Sequence, residues 1–173
     1  MRVLTIYLFL MLSLFGCIKP QTYENNQPKF DIRQYLNGDL EAFGILQDWR
    51  GKVIKSFTVT MKGSWQGNNG ILDEKFVFSD GQVQSRTWQI TMLDDHNFTA
   101  TAGDVVKPAK GSQYGNAVKM DYVLAIPVNN KVYNFAIKDW LFMVDEKSLI
   151  NVSTINKFGI PVAKISIGFK KLS

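Results

Sequence analysis

Apolar and polar residues alternate along most of this 173-residue chain, and Gly, Asn and Asp interrupt the alternation at short intervals. A period of two sends successive side chains to opposite faces of an extended segment, so each alternating run reads as a strand with one buried face. Ten such strands are predicted, over 40–47, 53–62, 71–78, 82–92, 98–106, 117–127, 131–138, 140–144, 149–157 and 162–170. Residues 30–36 read as a single helical turn stopped by Asn37-Gly38, and no longer stretch carries a convincing 3.6-residue apolar period. Short strands joined by tight turns predict an all-β fold, a single antiparallel meander that forms a sandwich or a barrel.

Two connections are specific enough to set register. Ser79-Asp80-Gly81 suits a three-residue hairpin loop with Gly in the left-handed conformation, which places Leu72 opposite Trp88 and Glu74 opposite Arg86. Leu72, Phe76 and Phe78 then share a face with Trp88, Ile90 and Met92, whereas a two-residue loop would set Phe76 against Ser85. Asn129-Asn130 suits a two-residue turn at positive φ. It pairs Ile126 with Tyr133, Leu124 with Phe135 and Tyr122 with Ile137.

These registers put charge on the apolar face. Glu74 and Arg86 meet there, a turn at 94–97 brings Asp104 beside Trp88, and Asp139 falls opposite Met120. An unpaired charge in an apolar interior is costly, so such groups are paired, solvated or in contact with a ligand. Two readings stand side by side. In one, Arg86 forks onto a carboxylate and the network pins the register. In the other, Arg86, Glu74, Asp104 and Asp139 form the polar end of a ligand cavity walled by Phe57, Phe76, Trp88, Met120, Tyr122 and Phe135. Arg86 would there receive a carboxylate or phosphate headgroup.

The N-terminus has its own pattern. A positive start at Met1-Arg2, an apolar run over 3–15 and then Gly16-Cys17 have the layout of a secretory signal peptide. The run is shorter than the about 20 residues of a membrane-spanning helix. Its end resembles the lipobox of bacterial lipoproteins, which implies cleavage before Cys17 and lipidation of its thiol. The expected organisation is a signal peptide over 1–16, lipidated Cys17 and a flexible tether over 17–29, and a barrel domain over 30–173. Cys17 is the only cysteine, so no intramolecular disulfide is possible. By the same resemblance, Ile18 in place of an aspartate after the lipidated cysteine implies the outer membrane, on its periplasmic face.

Composition adds mainly exclusions. The formal charge is +5, one unit of it on Arg2, and the basic residues are scattered, so nucleic acid is not an expected partner. His96 is the one histidine, which leaves too few ligands for a His/Cys metal site, and no nucleophile elbow or phosphate-binding glycine loop is present. No catalytic residue, cofactor or metal is therefore expected.

A longer ordered set of residues carries a family resemblance. Gly63-Ser64-Trp65-Gln66-Gly67, Glu74-x-Phe76, Asp80-Gly81, Arg86-x-Trp88-x-Ile90, Gly115-Asn116-Ala117, Tyr122, Asp139-Trp140 and Lys157-Phe158-Gly159 follow one another along the chain. The set resembles Gram-negative lipoproteins grouped as domain-of-unknown-function family 3833. The chain departs from that pattern at Lys138, in the family's acidic pair, and at Val152, where the family carries Arg. The resemblance implies a fold and a location but no activity. The meander, Gly63-x-Trp65 and the chain length are also similar to the lipocalin (calycin) superfamily of closed barrels, which implies a single antiparallel barrel of about ten strands. The leading expectation is a lipid-anchored outer-membrane protein that binds a lipid or fatty acyl derivative in its barrel. The rivals are an envelope assembly protein that holds a protein partner, and an enzyme acting on lipid-like substrates through Glu74 or Asp104.

Overall fold

Alternation with one apolar face becomes ten antiparallel strands in the computed structural model, which describes residues 18–129 and 131–172. Cys17, the run before it and Asn130 lie outside the described residues. The strands are β1 (Gly38–Asp48), β2 (Val53–Gln66), β3 (Asn69–Phe78), β4 (Val83–Met92), β5 (Asn97–Thr101), β6 (Ala109–Tyr114), β7 (Ala117–Val128), β8 (Lys131–Met143), β9 (Ser148–Lys157) and β10 (Ile160–Lys171). Each pairs with its neighbours in sequence, and β1 pairs with β10 to close the barrel. Closure gives every strand two neighbours, although β5 pairs with β4 only over Gln89–Met92 and leaves Val83–Trp88 without a strand partner on that side.

Both expected hairpin registers are present. Leu72 faces Trp88 and Glu74 faces Arg86, and Tyr122, Leu124 and Ile126 face Ile137, Phe135 and Tyr133. The turn residues Gly81 (φ 81°) and Asn129 (φ 49°) adopt the positive φ that these loops demand.

Three strand expectations are corrected. The strand expected over 98–106 stops at Thr101, and 102–108 form a connection. The strand β6 was not expected. Its inward positions are Ala109, Gly111 and Gln113, which carry little apolar signal, yet the sheet needs a small residue there. A Cβ on Gly111 would stand 2.0 Å from the Phe98 ring, so the glycine makes room for an aromatic from β5. The strands expected over 131–138 and 140–144 are one strand, β8, with Asp139 in its middle.

The two barrel ends differ. At one end the segment 30–36 folds across the opening around α1 (Ile32–Tyr35), with Asp31 as N-cap accepting the Arg33 N–H. Phe30, Ile32, Tyr35 and Leu36 are buried against the barrel's lower core, which includes Leu40, Met61, Trp88 and Leu149. Polar contacts lock this plug in place. Tyr35 Oη donates to the Lys147 carbonyl at 3.0 Å, Gln113 Oε1 accepts from the Ile32 N–H at 3.1 Å, and Lys171 Nζ donates to the carbonyls of Gln34, Tyr35 and Asn37. The plug also explains Gly63, because a Cβ there would lie 1.5 Å from the Leu36 carbonyl oxygen. Gly63→Ala is expected to cost roughly 1–3 kcal/mol in urea denaturation by forcing that overlap apart. A variant as stable as wild type would mean that the plug shifts freely.

Part of the stretch expected as a flexible tether is also ordered. Pro20–Tyr23 form a 3-10 turn, and Tyr23 packs edge-on against Trp140 (5.7 Å) and Phe142 (5.4 Å) on the outer wall of β8. The chain therefore meets the barrel at its plugged end, before residue 30. At the other end the β1–β2, β3–β4, β5–β6, β7–β8 and β9–β10 connections ring the barrel's mouth, which no helix covers among the described residues.

Candidate functional site

Burial varies over the inner surface of the barrel. Inward side chains near the plug, such as Leu40, Met61, Leu72 and Ile90, are almost fully buried. Towards the mouth, Leu46, Phe76, Phe78, Val105, Tyr122, Ile126, Phe135 and Ile165 are only partly buried on the same inner surface. Apolar inner side chains on the mouth side are thus partly solvated, interspersed with buried ones such as Phe57, Leu124 and Ile155. Charged residues stand between the two ends.

Arg86 is the hub. Its Nε and Nη2 donate to Asp104 at 2.6–3.2 Å in a forked pair, and its Nη1 stands 3.9 Å from Glu74 Oε2. The guanidinium also lies over the Phe76 and Trp88 rings, at 5.7 and 5.6 Å. Trp88 Nε1 donates to Glu74 Oε2 at 3.2 Å, and the Trp88 ring meets Tyr122 edge-on at 5.5 Å. Tyr122 Oη donates to Asp139 Oδ2 at 2.8 Å. A chain of polar contacts, bridged by the Trp88–Tyr122 ring contact, therefore runs from Asp104 to Asp139.

Asp104 arrives there by a route different from the expected one. The β4–β5 turn closes one residue earlier, because Asp94 Oδ1 takes the N–H groups of both His96 and Asn97. Met92 then pairs with Phe98, which shifts the register by two residues. Asp104 is carried past Trp88 to Arg86, from the connection after β5 and not from a strand. The sheet thus delivers Glu74, Arg86, Trp88, Tyr122 and Asp139, and a loop delivers Asp104.

Of the remaining expected site residues, Phe76 stacks at 6.1 Å on Phe78 beside Arg86. Phe135 lies nearer the mouth, in a second cluster with Leu124, Ile137 and Ile155. Phe57 is buried among Phe76 and Phe78, and Met120 sits opposite Asp139. Asn151 and Ser153 were not expected in the site. Both are buried next to Asp139 on the inner face of β9, and Ser153 Oγ donates to Asn151 Oδ1 at 3.0 Å. Their signal was present in the sequence, since two polar residues interrupt an otherwise apolar face.

Electrostatics follow from this enclosure. Burial drives Glu74 up to about 7, against the pull of Arg86 and the Trp88 N–H, while Asp139 and Asp104 reinforce the rise. Burial also raises Asp139, although Ser153, Tyr122, Asn151 and Arg86 favour its charged form. The Tyr122 hydroxyl is held well above its ordinary value, first by burial and then by Asp139. Burial works against the Arg86 charge, but the Asp104 hydrogen bonds and the Glu74 charge outweigh it. Asp139 Oδ1 is buried without a hydrogen-bond partner among the described residues.

The outer wall carries two further concavities. A groove of about 650 Å³ crosses β10, β1, β2 and β3 between Phe43, Val77 and Ile150, floored by small residues such as Gly44, Ser166 and Gly168. A smaller one of about 440 Å³ lies over the backs of β2, β3 and β4, among Thr60, Lys62, Asp73 and Thr87.

Three solved structures show how this fold compares. An S-type phycobiliprotein lyase, CPES, from Guillardia theta superposes with a TM-score of 0.60 at 6% identity, covering 82% of this chain and 92% of the lyase. That likeness speaks to the fold alone. Weaker superpositions are with EF1p2_mFAP2b bound to DFHBI (TM-score 0.44, 8% identity, 80% and 95% covered) and with a redesigned β-barrel, b11L5F_LGL (0.45, 11%, 84% and 100%). No curated protein matches the chain. The family model described as a protein of unknown function, DUF3833, matches residues 10–171, so the chain belongs to that family.

Proposed function

We propose that this DUF3833 protein is a lipid-anchored outer-membrane lipoprotein, facing the periplasm, that binds an amphipathic molecule such as a fatty acyl derivative in its barrel. The molecule enters through the mouth. Its apolar part lies along Phe76, Phe78, Ile126 and Phe135, and its polar end reaches the Glu74–Arg86–Asp104 cluster. Cys17 is the attachment point for the anchor.

The partly buried apolar side chains on the mouth side of the inner surface are the observation that carries this reading. A barrel that served only as a scaffold would gain by packing its mouth side as tightly as its plugged end. Within the cluster, the Asp104 fork occupies Nε and Nη2 of Arg86, so the headgroup is received on the Nη1 side. Below pH 7 the Glu74 carboxyl is protonated and donates beside Nη1. An acceptor oxygen, from a carboxylate, ester or phosphate, fits between these two donors.

Native mass spectrometry of the gently purified protein is expected to reveal a co-purifying amphiphile. Arg86→Lys keeps the charge but loses the planar fork, and is expected to weaken binding roughly ten- to hundredfold. A protein that emerges ligand-free and leaves a fluorescent fatty acid unbound would overturn the reading.

A further inference from the structure

We propose that the rim of the mouth docks on the surface of an anionic phospholipid bilayer. This inference is independent of the ligand reading above. It begins with Phe158. The β9–β10 hairpin turns on Phe158 and Gly159, both at positive φ (52° and 80°), where Asn or Gly is the low-cost choice. A phenylalanine in the left-handed region costs about 1–2 kcal/mol, yet this one is also 91% exposed. It gains no burial inside the molecule in return.

Phe158 is not alone at this end. Trp49, at the tip of the β1–β2 turn, is 69% exposed, and Ile54, Val132 and Ile160 project from the first residues of their strands. Single exposed apolar residues are ordinary. These protrude from three connections around one opening.

Cations are interleaved with them. Arg50 lies 4.6 Å over the Trp49 ring, and Lys157 lies 4.7 Å from the Phe158 ring. Lys52, Lys107 and Lys131 stand on the same rim. Its acids are engaged locally: Asp80 is bound by Lys55, and Asp48 accepts the N–H groups of Arg50 and Lys52 in its own turn. The plugged end instead mixes Asp94, Asp95, Asp145 and Glu146 with Arg33, Lys147 and Lys171, so it has no comparable basic excess. Charge is therefore polarised along the barrel axis, with the basic end bearing the exposed aromatic rings.

Rings that sit at headgroup depth beside cations that reach phosphate are what a bilayer surface selects. The geometry favours a bilayer over a folded protein. Separate tips around an opening present no continuous face, and a fluid surface accommodates them without matched contours. The chain joins the barrel at the plugged end, so a protein held by Cys17 turns this rim towards a facing bilayer and away from its own anchor.

The test uses the full chain with Cys17→Ser, carrying a spin label at Val132→Cys on the rim or at Glu146→Cys on the plugged end. With phosphatidylglycerol-containing vesicles, the label at 132 is expected to lose access to a water-soluble nickel relaxant and to gain access to oxygen. The label at 146 is expected to remain aqueous. Reading the labels keeps the apolar N-terminal run from counting as rim binding. Replacing Arg50, Lys131 and Lys157 by Gln is expected to raise the vesicle concentration that half-immerses label 132 about a hundredfold, at about 1 kcal/mol per cation. An aqueous label at 132, or equal immersion on pure phosphatidylcholine, would overturn the proposal.

Discussion

Arg86→Ala is expected to destabilise the barrel by roughly 3–5 kcal/mol, the range for removing one partner of a buried ion pair. The substitution leaves Asp104 without its forked partner and Glu74 without its cation, in a site where the Arg86 side chain is only 17% exposed. Asp104 remains 27% exposed and can recover some hydration, which places the effect towards the lower end. Two aromatic rings also lose their cation, since the guanidinium lies over both Phe76 and Trp88. Arg86→Lys is expected to restore part of the loss, because an ammonium supplies the charge without the planar fork. Urea denaturation of the two variants separates these contributions. An Arg86→Ala protein within about 1 kcal/mol of wild type would refute the buried hub.

The second large effect is pH dependence. Folded Glu74 titrates at about 7, well above its ordinary 4.5. Between those values the folded chain holds a proton that the unfolded chain has released. Protonated Glu74 therefore contributes stability that is complete below about pH 4.5 and is lost as pH rises through 7. At about 1.4 kcal/mol per unit, the loss is on the order of 3 kcal/mol. Glu74→Gln is neutral at every pH, so it is expected to match wild type near pH 4 and to exceed it by about that amount at pH 8. Asp139, raised for the same first reason, adds to the decline of wild type with pH. The difference between wild type and variant isolates Glu74 from all other groups. Wild type gaining on the variant as pH rises would show that attraction to Arg86 outweighs burial.

Both effects concern residues whose inward placement follows from strand periodicity. Two hairpin loops with strong turn chemistry locate Glu74 opposite Arg86 and Asp139 opposite Met120, because a slip of one residue would expose every apolar partner. The same reasoning failed where local chemistry was weaker. Asp94 closes its turn one residue early, and this moves Asp104 from Trp88 to Arg86. The strand β6 escaped notice because its inward residues are small and polar. Their value lies in what they admit, the Phe98 ring over Gly111 and the Gln113 contact to the plug. Neither partner is near in sequence.

The sequence by itself determined the antiparallel meander, its two firmest registers and the presence of charge on the inner face, since alternation and turn residues act over only a few positions. Membership of the family was legible in the same way, as an ordered set of short motifs. Only the tertiary structure decided which carboxylate holds Arg86, which end of the barrel is plugged, and that the segment around Tyr23 packs on the wall. It alone gathered Trp49, Phe158 and their cations, from turns about a hundred residues apart, onto one rim. Each of these depends on closure of the barrel, which brings distant turns together at a common end, and no local pattern encodes that proximity.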